Sequence, residues 1–315
     1  MAETLLVIDP GSLTTVQDQG RFGWQSLGVP VSGALDSYAA LAANLLVGNT
    51  RDAAVLEMTV TGMTLAVIRS TCLAVTGAKA LIKVNAHRKS CWESFHVHPG
   101  DLVRIGQVTS GSRLYLAASG GIDVPLVMGS RSTSVGSGLG GFFGRPLRKG
   151  DILSVSLADA LPEKRTMPDD YIPDMNRDTI LRCLPGPQDH FFHDLESTLF
   201  QEPYIVTQHT DRRGVRLNGP QVQHNHDSPG RVLSEPSLPG NIQIPGDGFP
   251  IILLVEQTVG GYAKAATVLS RDLCRLAQTA PGSRIIFQCL SLPQAHKILN
   301  KFHKDILQLE QEMSL

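Results

Sequence analysis

The chain has no block of like charges, no run of 18 apolar residues and no Cys-x-x-Cys pair. Its 28 Lys and Arg against 29 Asp and Glu leave a formal net charge of -1. That balance offers no basic face to a nucleic-acid backbone and no basic stripe to an anionic membrane. Without a long apolar run there is no candidate membrane-spanning helix. The N-terminal segment "MAETLLVIDPGS" carries neither the basic start nor the apolar stretch of a signal peptide. Five cysteines (Cys72, Cys91, Cys183, Cys274 and Cys289) are odd in number and scattered, so they read as reduced thiols in a cytoplasmic protein. No G-x-S-x-G marks a nucleophile elbow, which disfavours a triad hydrolase. The histidine pairs His96/His98, His190/His193 and His224/His226 supply at most two imidazoles each, so no metal is expected in this chain.

What is present is β-structure punctuated by turns. In 315 residues there are 30 glycines and 19 prolines, and between them lie short runs rich in β-formers: "TLLVID", "AAVLEMTV", "MTLAVI", "CLAVTG", "ALIKVN", "DLVRIG", "RLYLAA" and "DILSVS". Strands of this length with turn signals between them predict a barrel or sandwich. A recurring Gly-polar-strand pattern (Gly100-Asp101, Gly150-Asp151, Gly282-Ser283) hints at two related β units. Helices are few. Asp36 can cap "SYAALAANLLVG", with Gly48 at its end. Periodic apolar residues predict helices over 267–278 and from Pro293 to about Glu312, and a fourth is expected near 187–200. The polar, Pro-rich segment 159–178 reads as a linker, which gives an N-terminal domain over 1–160, a linker over 161–178 and a C-terminal domain over 179–315. "NGPQVQHNHDSPGR" reads as a second polar loop.

Three clusters could carry chemistry. The stretch "TTVQDQGRFGWQSLGVPVSGALD" brings Gln17, Asp18, Arg21 and Asp36 beside a helix start. In the second, Gly136, Gly138, Gly140 and Gly141 can either cradle an anion with backbone N–H groups or serve a tight turn; the segment is not a P-loop or a Rossmann fingerprint. In the third, "EQTVGGYAK", Tyr262 and Lys264 would share one face of a strand. A phenol and an ammonium so placed can hold a carboxylate or an oxyanion, and a core Tyr alternating with a surface Lys reads equally well. A buried Asp36 would need a cation, and Lys264 is the partner expected for it.

Eight motifs in order carry a family resemblance: "TTVQDQGRFGWQSLGVPVSGALD", "NLLVGN", "YLAASGGIDVPLVMGSRST", "GRPLRKGD", "LPGPQ", "DRRGVRLNG", "LPGNIQIPGDGFPIIL" and "QTVGGYAKAATV". From about residue 5 to 296 the chain resembles the family that contains the C subunit of bacterial 5-oxoprolinase and the allophanate hydrolase subunit 2-like proteins. That family includes the antagonist of the sporulation-kinase inhibitor and is similar to the carboxyltransferase domain of urea carboxylase. The resemblance implies a mainly β protein of two cyclophilin-like β-barrel domains with a few short helices, and an active site in the cleft between the barrels. It implies one component of an ATP-dependent 5-oxoprolinase, working with A-like and B-like subunits as partners and with ATP as co-substrate of the complex. A biotin-dependent carboxyltransferase acting on a urea-like or amide substrate, with biotin supplied by another protein, is the alternative. A non-catalytic regulator binding a B-like kinase inhibitor is the third reading.

By the same resemblance Asp36, Tyr262 and Lys264 would be catalytic, and Gln17, Arg21, Gln243, Gln257 and Thr258 would bind substrate. Lys264 would neutralise an anion, Tyr262 would donate to an oxyanion, and Asp36 would orient or take a proton. The chain departs from the family pattern at Glu256, where an Asp and one more residue commonly precede Gln-Thr. It departs also at Ala263, where a proline is common, and at "DRRG", where a Met more often follows the first Arg.

Overall fold

The structure, a computed structural model, describes residues 2–156, 160–175, 178–229 and 232–314. Residues 159, 176 and 177 of the expected linker, and 230 and 231 of the polar loop, lie outside the described residues. The chain is mostly β and forms two compact units, each built on a barrel-like sheet. One comprises Met1–Phe22, Ser32–Met175 and Gln308–Leu315; the other comprises Gly23–Val31 and Asn176–Leu307.

The first unit is a ten-stranded sheet. Its backbone is a pair of long antiparallel strands, Thr71–Val84 and Leu102–Ala118. Sequence patterning divides each of these into two short strands, because Gly77 and Gly111 look like turn residues. In the folded chain both glycines take positive φ (84° and 90°) without ending the strand. The pairing register shifts between Gly77 and Lys79 instead, so a glycine that would make a turn elsewhere makes a bulge here. Alternating apolar residues from these strands and from Ala2–Asp9 and Val55–Thr59 fill one core, with Leu5, Leu56, Met58, Leu73, Val75 and Leu116 fully buried.

Helix α1, Ser37–Leu46, covers this sheet as its pattern predicts. The Asp36 carboxylate accepts from Ala39 N at 3.0 Å, the N-cap bond that satisfies one orphan donor of the first turn. Gly48 follows at φ 74°. Much of the expected linker is packed on this unit. Met167 N donates to Trp92 O (2.9 Å), and the Arg165 guanidinium donates to Leu45 O (2.9 Å) at the end of α1. The Tyr38 hydroxyl donates to Tyr171 O (2.6 Å).

The second unit is a closed barrel. Its strands run in the order Asp178–Pro185, Ala263–Val268, Asn241–Ile244, Ile251–Leu253, Gly214–Asn218, Tyr204–Thr210 and Arg284–Cys289. The one parallel pair in that ring joins Asp178–Pro185 to Arg284–Cys289 and closes it. Helix α2 spans Ser270–Ala277 and starts later than its periodicity suggests. The reason is that Thr267 and Val268 pair with Leu184 and Cys183 as the end of a strand. The helix expected near 187–200 is absent. A single 3-10 turn, Asp189–Phe191, stands there. His193 N then donates to Gln223 O, and Asp194 takes φ 43° while its carboxylate accepts from Ser197. Helix α3 runs Leu292–Ser314, close to expectation.

Asp272 on α2 is fully buried and ties the helix to the barrel. Its carboxylate accepts from Arg182 N (2.9 Å) and Arg182 Nε (2.7 Å), and pairs with Arg182 Nη2. Removing one partner of a buried pair leaves the other charge uncompensated. Asp272→Ala is therefore expected to cost about 3–5 kcal/mol, read as a lower urea midpoint of the full chain.

Candidate functional site

In the second unit the side chains converge on Lys264. The motif "LPGPQ" explains part of this. Gly186 lies so close to the Lys264 strand that a Cβ there would sit 2.2 Å from Lys264 O. The close approach lets Gln188 grip the strand: Lys264 N donates to Gln188 Oε1 at 3.0 Å. Gln188 Nε2 donates in turn to Glu235 Oε1 at 2.9 Å. The Lys264 ammonium donates to that same Glu235 Oε1 at 2.8 Å and to Pro236 O at 2.7 Å. Lys264 is 5% exposed, whereas the Glu235 side chain is 35% exposed, so of the pair the carboxylate is the one in contact with solvent. The Lys264 hydrogen bond is the main cause holding the Glu235 carboxyl below its ordinary range, with Gln188 adding to it.

Gln243 stands directly opposite Lys264 in the antiparallel pairing of Asn241–Ile244 with Ala263–Val268, so the two side chains share a face. Gln243 Nε2 and Ser237 Oγ are buried without a hydrogen-bond partner. Both flank Gly260: a Cβ there would lie 2.2 Å from Gln243 Nε2 and 3.1 Å from Ser237 Oγ. Gly260 itself pairs with Glu235, and Thr258 O accepts from Ser237 N at 3.0 Å. Lys264, Gln243 and Thr258 thus belong to one neighbourhood. Gln257 is half-buried in the adjoining turn. Tyr262 precedes the strand that begins at Ala263 and is 36% exposed; strand alternation does not reach it, and it does not share the buried environment of Lys264. The Glu256 departure is filled internally. Its Oε1 accepts from Arg212 Nε at 2.7 Å, and both side chains are nine-tenths buried.

In the first unit Gln17 and Arg21 are clasped by the loop that follows Val127. Gln17 Nε2 donates to Thr133 O (3.1 Å) and to Thr15 Oγ1 (2.9 Å). Arg21 donates to Val127 O and to Ser132 O, each at 2.8 Å. Burial pushes the Arg21 guanidinium down from its ordinary pKa, and the nearby Asp18 charge acts the other way. The Asp18 carboxylate accepts from Ser130 Oγ (2.6 Å), Ser132 Oγ (2.5 Å), Arg131 N (2.5 Å) and Gly20 N (2.9 Å). The glycine-rich loop serves this clasp, since a Cβ at Gly140 would lie 2.4 Å from Arg21 Nη2.

Asp36, besides capping α1, donates its backbone N–H to the Tyr115 hydroxyl (2.8 Å), which donates to Glu57 Oε2 (2.8 Å). Burial, then the charges of Glu57 and Asp36, push the Tyr115 hydroxyl well above its ordinary pKa. The carboxylate that Lys264 holds is Glu235, from its own unit, where the sequence suggested Asp36. Among the described residues no three His, Cys, Asp or Glu are grouped to hold a metal, and no helix is long and apolar enough to cross a membrane.

Residues 27–289 match the model of the carboxyltransferase domain, subdomains A and B. The chain belongs to this family. It is 35% identical to the C subunit of the 5-oxoprolinase of Escherichia coli (strain K12), with 93% of each chain covered. It is 34% identical to the urea amidolyase of Lachancea kluyveri, over 93% of this chain and 17% of that one. The crystal structure of the Kluyveromyces lactis urea carboxylase superposes with a TM-score of 0.92 at 32% identity, covering 100% of this chain and 30% of that one. The chain therefore spans nearly all of the first relative and only a segment of the other two.

Sequence reasoning missed Glu235, Ser237, Gln188, Glu57 and Tyr115. Gln188 and Tyr115 carried a signal, as the last residue of "LPGPQ" and the first of "YLAASGGIDVPLVMGSRST". Since Lys264 is what depresses Glu235, Lys264→Met is expected to raise the Glu235 carboxyl midpoint toward the ordinary carboxylate value, read by carboxyl ¹³C NMR. A depressed carboxyl stabilises the fold above its unfolded pKa, and that stability is lost as pH falls through the folded pKa. The variant is expected to lose this acid-side slope in its stability profile.

Proposed function

We propose that this chain is one component of an ATP-dependent 5-oxoprolinase complex that cleaves 5-oxoproline to glutamate with ATP hydrolysis. The carrying observation is the match to the 5-oxoprolinase C subunit over 93% of both chains. Lys264, Gln243 and Ser237 support it chemically. Breaking a lactam C–N bond puts negative charge on the carbonyl oxygen, and buried donors aimed at such an oxygen are an effective form of stabilisation. A-like and B-like subunits are the partners in this reading, with ATP as co-substrate of the assembly. Asp36 is the group in the first unit assigned to orient or take a proton, while Gln17 and Arg21, wholly buried and bonded to backbone carbonyls, act by positioning their segment.

A biotin-dependent carboxyl transfer to a urea-like or amide nitrogen is the second reading, with biotin supplied by another protein. The similarity to urea amidolyase and urea carboxylase favours it. It needs the same kind of site, because a ureido group and a lactam both present a carbonyl oxygen beside a nitrogen.

The complex reconstituted with its A-like and B-like partners is expected to release glutamate from 5-oxoproline only with ATP. Lys264→Ala is expected to lower kcat by about 10²–10³ without preventing assembly. A well-formed wild-type complex that releases no glutamate would remove this reading.

A further inference from the structure

The sheet of the first unit carries a row of cations on its outer side. In the antiparallel register Lys83 stands opposite Arg88 on one neighbouring strand and opposite Arg104 on the other. Residues paired in this way point to the same face, with Cβ atoms about 5 Å apart. Ile82, Val84, Val103 and Ile105 are buried on the core side, so Arg88, Lys83 and Arg104 project outward. Among the described residues none of these three side chains has a hydrogen bond or an ion pair. The nearby acids are engaged elsewhere. The Asp101 carboxylate accepts from His98 N and from Asn85 Nδ2. Asp9 accepts from Gly11 N and lies two strands beyond Arg104, across Thr64, about 10 Å away.

Like charges directly opposite one another weaken a sheet. An acid at position 83 would serve the isolated fold better, so the chain itself gives no reason for the row. The next row on the same face is aliphatic. Two residues along the strands, Leu102 faces Ala66, Ala66 faces Leu6, and Leu6 faces Ile152. These four are half-buried or exposed, while their neighbours Leu5, Leu65, Val103 and Leu153 are buried. A sheet with one solvated face ordinarily turns polar residues outward. Here an apolar row and a cation row run side by side, about 7 Å apart.

The chemistry of the two rows selects the occupant. Cations in a line without counter-charges are complementary to carboxylates in a line, and the aliphatic row is complementary to an apolar strip beside them. Three cations on a chain of net charge -1 are few for a nucleic-acid backbone. Neither row holds a Trp, Tyr or Phe to enter a lipid interface. We infer that this outer face docks a partner protein through a strip of acidic residues flanked by aliphatic ones. The inference goes beyond the lactam chemistry and rests on the proposed complex only for the partners to be tested, the A-like and B-like subunits.

The discriminating variant is K83E, which sets a carboxylate between two guanidinium groups. The isolated chain is expected to keep its fold and to unfold at the same or a higher urea concentration. The same change is expected to weaken binding of the purified subunit that wild type captures by about tenfold, mainly through slower association, read by biolayer interferometry. Added salt is expected to slow association of wild type more than of K83E. I152Q, in the aliphatic row, is expected to speed dissociation instead. Subunit binding unchanged in K83E, or no binding of either subunit by wild type, would overturn the inference. So would a lowered urea midpoint in K83E, which would show that the row serves the fold. Sedimentation of wild type but not K83E with phosphatidylserine vesicles, in place of subunit binding, would assign the face to lipid and overturn it too. Glutamate release by a complex whose assembly K83E leaves untouched removes the docking face and keeps the oxoprolinase reading. Assembly that K83E weakens, with no glutamate released by wild type, does the reverse.

Discussion

A buried ammonium held by a carboxylate is the constraint on which the second unit turns. Lys264 sits inside a barrel strand, where an unpaired charge would be prohibitive. Three separate segments come together to satisfy it: the strand itself, the "LPGPQ" turn through Gln188, and the Glu235–Ser237 stretch. Each of these contacts also fixes a neighbour. Holding Glu235 places Gly260 across from it, and the strand pairing that carries Lys264 puts Gln243 at its side. The chemistry available at this position follows from the way the charge is neutralised.

The first unit solves a related problem with the charges distributed differently. Arg21 is wholly buried and hydrogen-bonds to backbone carbonyls, while Asp18 is held by two hydroxyls and two backbone N–H groups. In the following loop Gly140 passes too close to Arg21 and to Ser132 O for a side chain. Around Asp36, the cap bond, the Tyr115 hydroxyl and Glu57 form a buried chain that anchors the start of α1.

Much of the architecture was legible in the residues. Runs rich in β-formers marked the strands of the first unit, though not where two of them continue, and the Asp36 cap with Gly48 bounded α1 to within two residues. The errors share one cause: local signals cannot report what a segment pairs with. Gly77 reads as a turn and acts as a bulge because strand partners continue past it. Thr267 and Val268 satisfy a helical period, yet Leu184 and Cys183 recruit them into the barrel. Segment 187–200 has helical composition, but its backbone pairs with Gln223 and His224.

For the site the division is equally physical. The sequence by itself determined the family, the mainly β architecture and the polar residue types gathered near Lys264 and Gln17, because ordered motifs and turn chemistry are written in adjacent residues. Only the tertiary structure decided that Glu235 neutralises Lys264, that Ser237 and Gln243 pack against Gly260, and that Tyr262 lies just outside the strand that carries Lys264. Those facts depend on which strands lie side by side. A hydrogen bond between residues 29 positions apart leaves no local pattern to read.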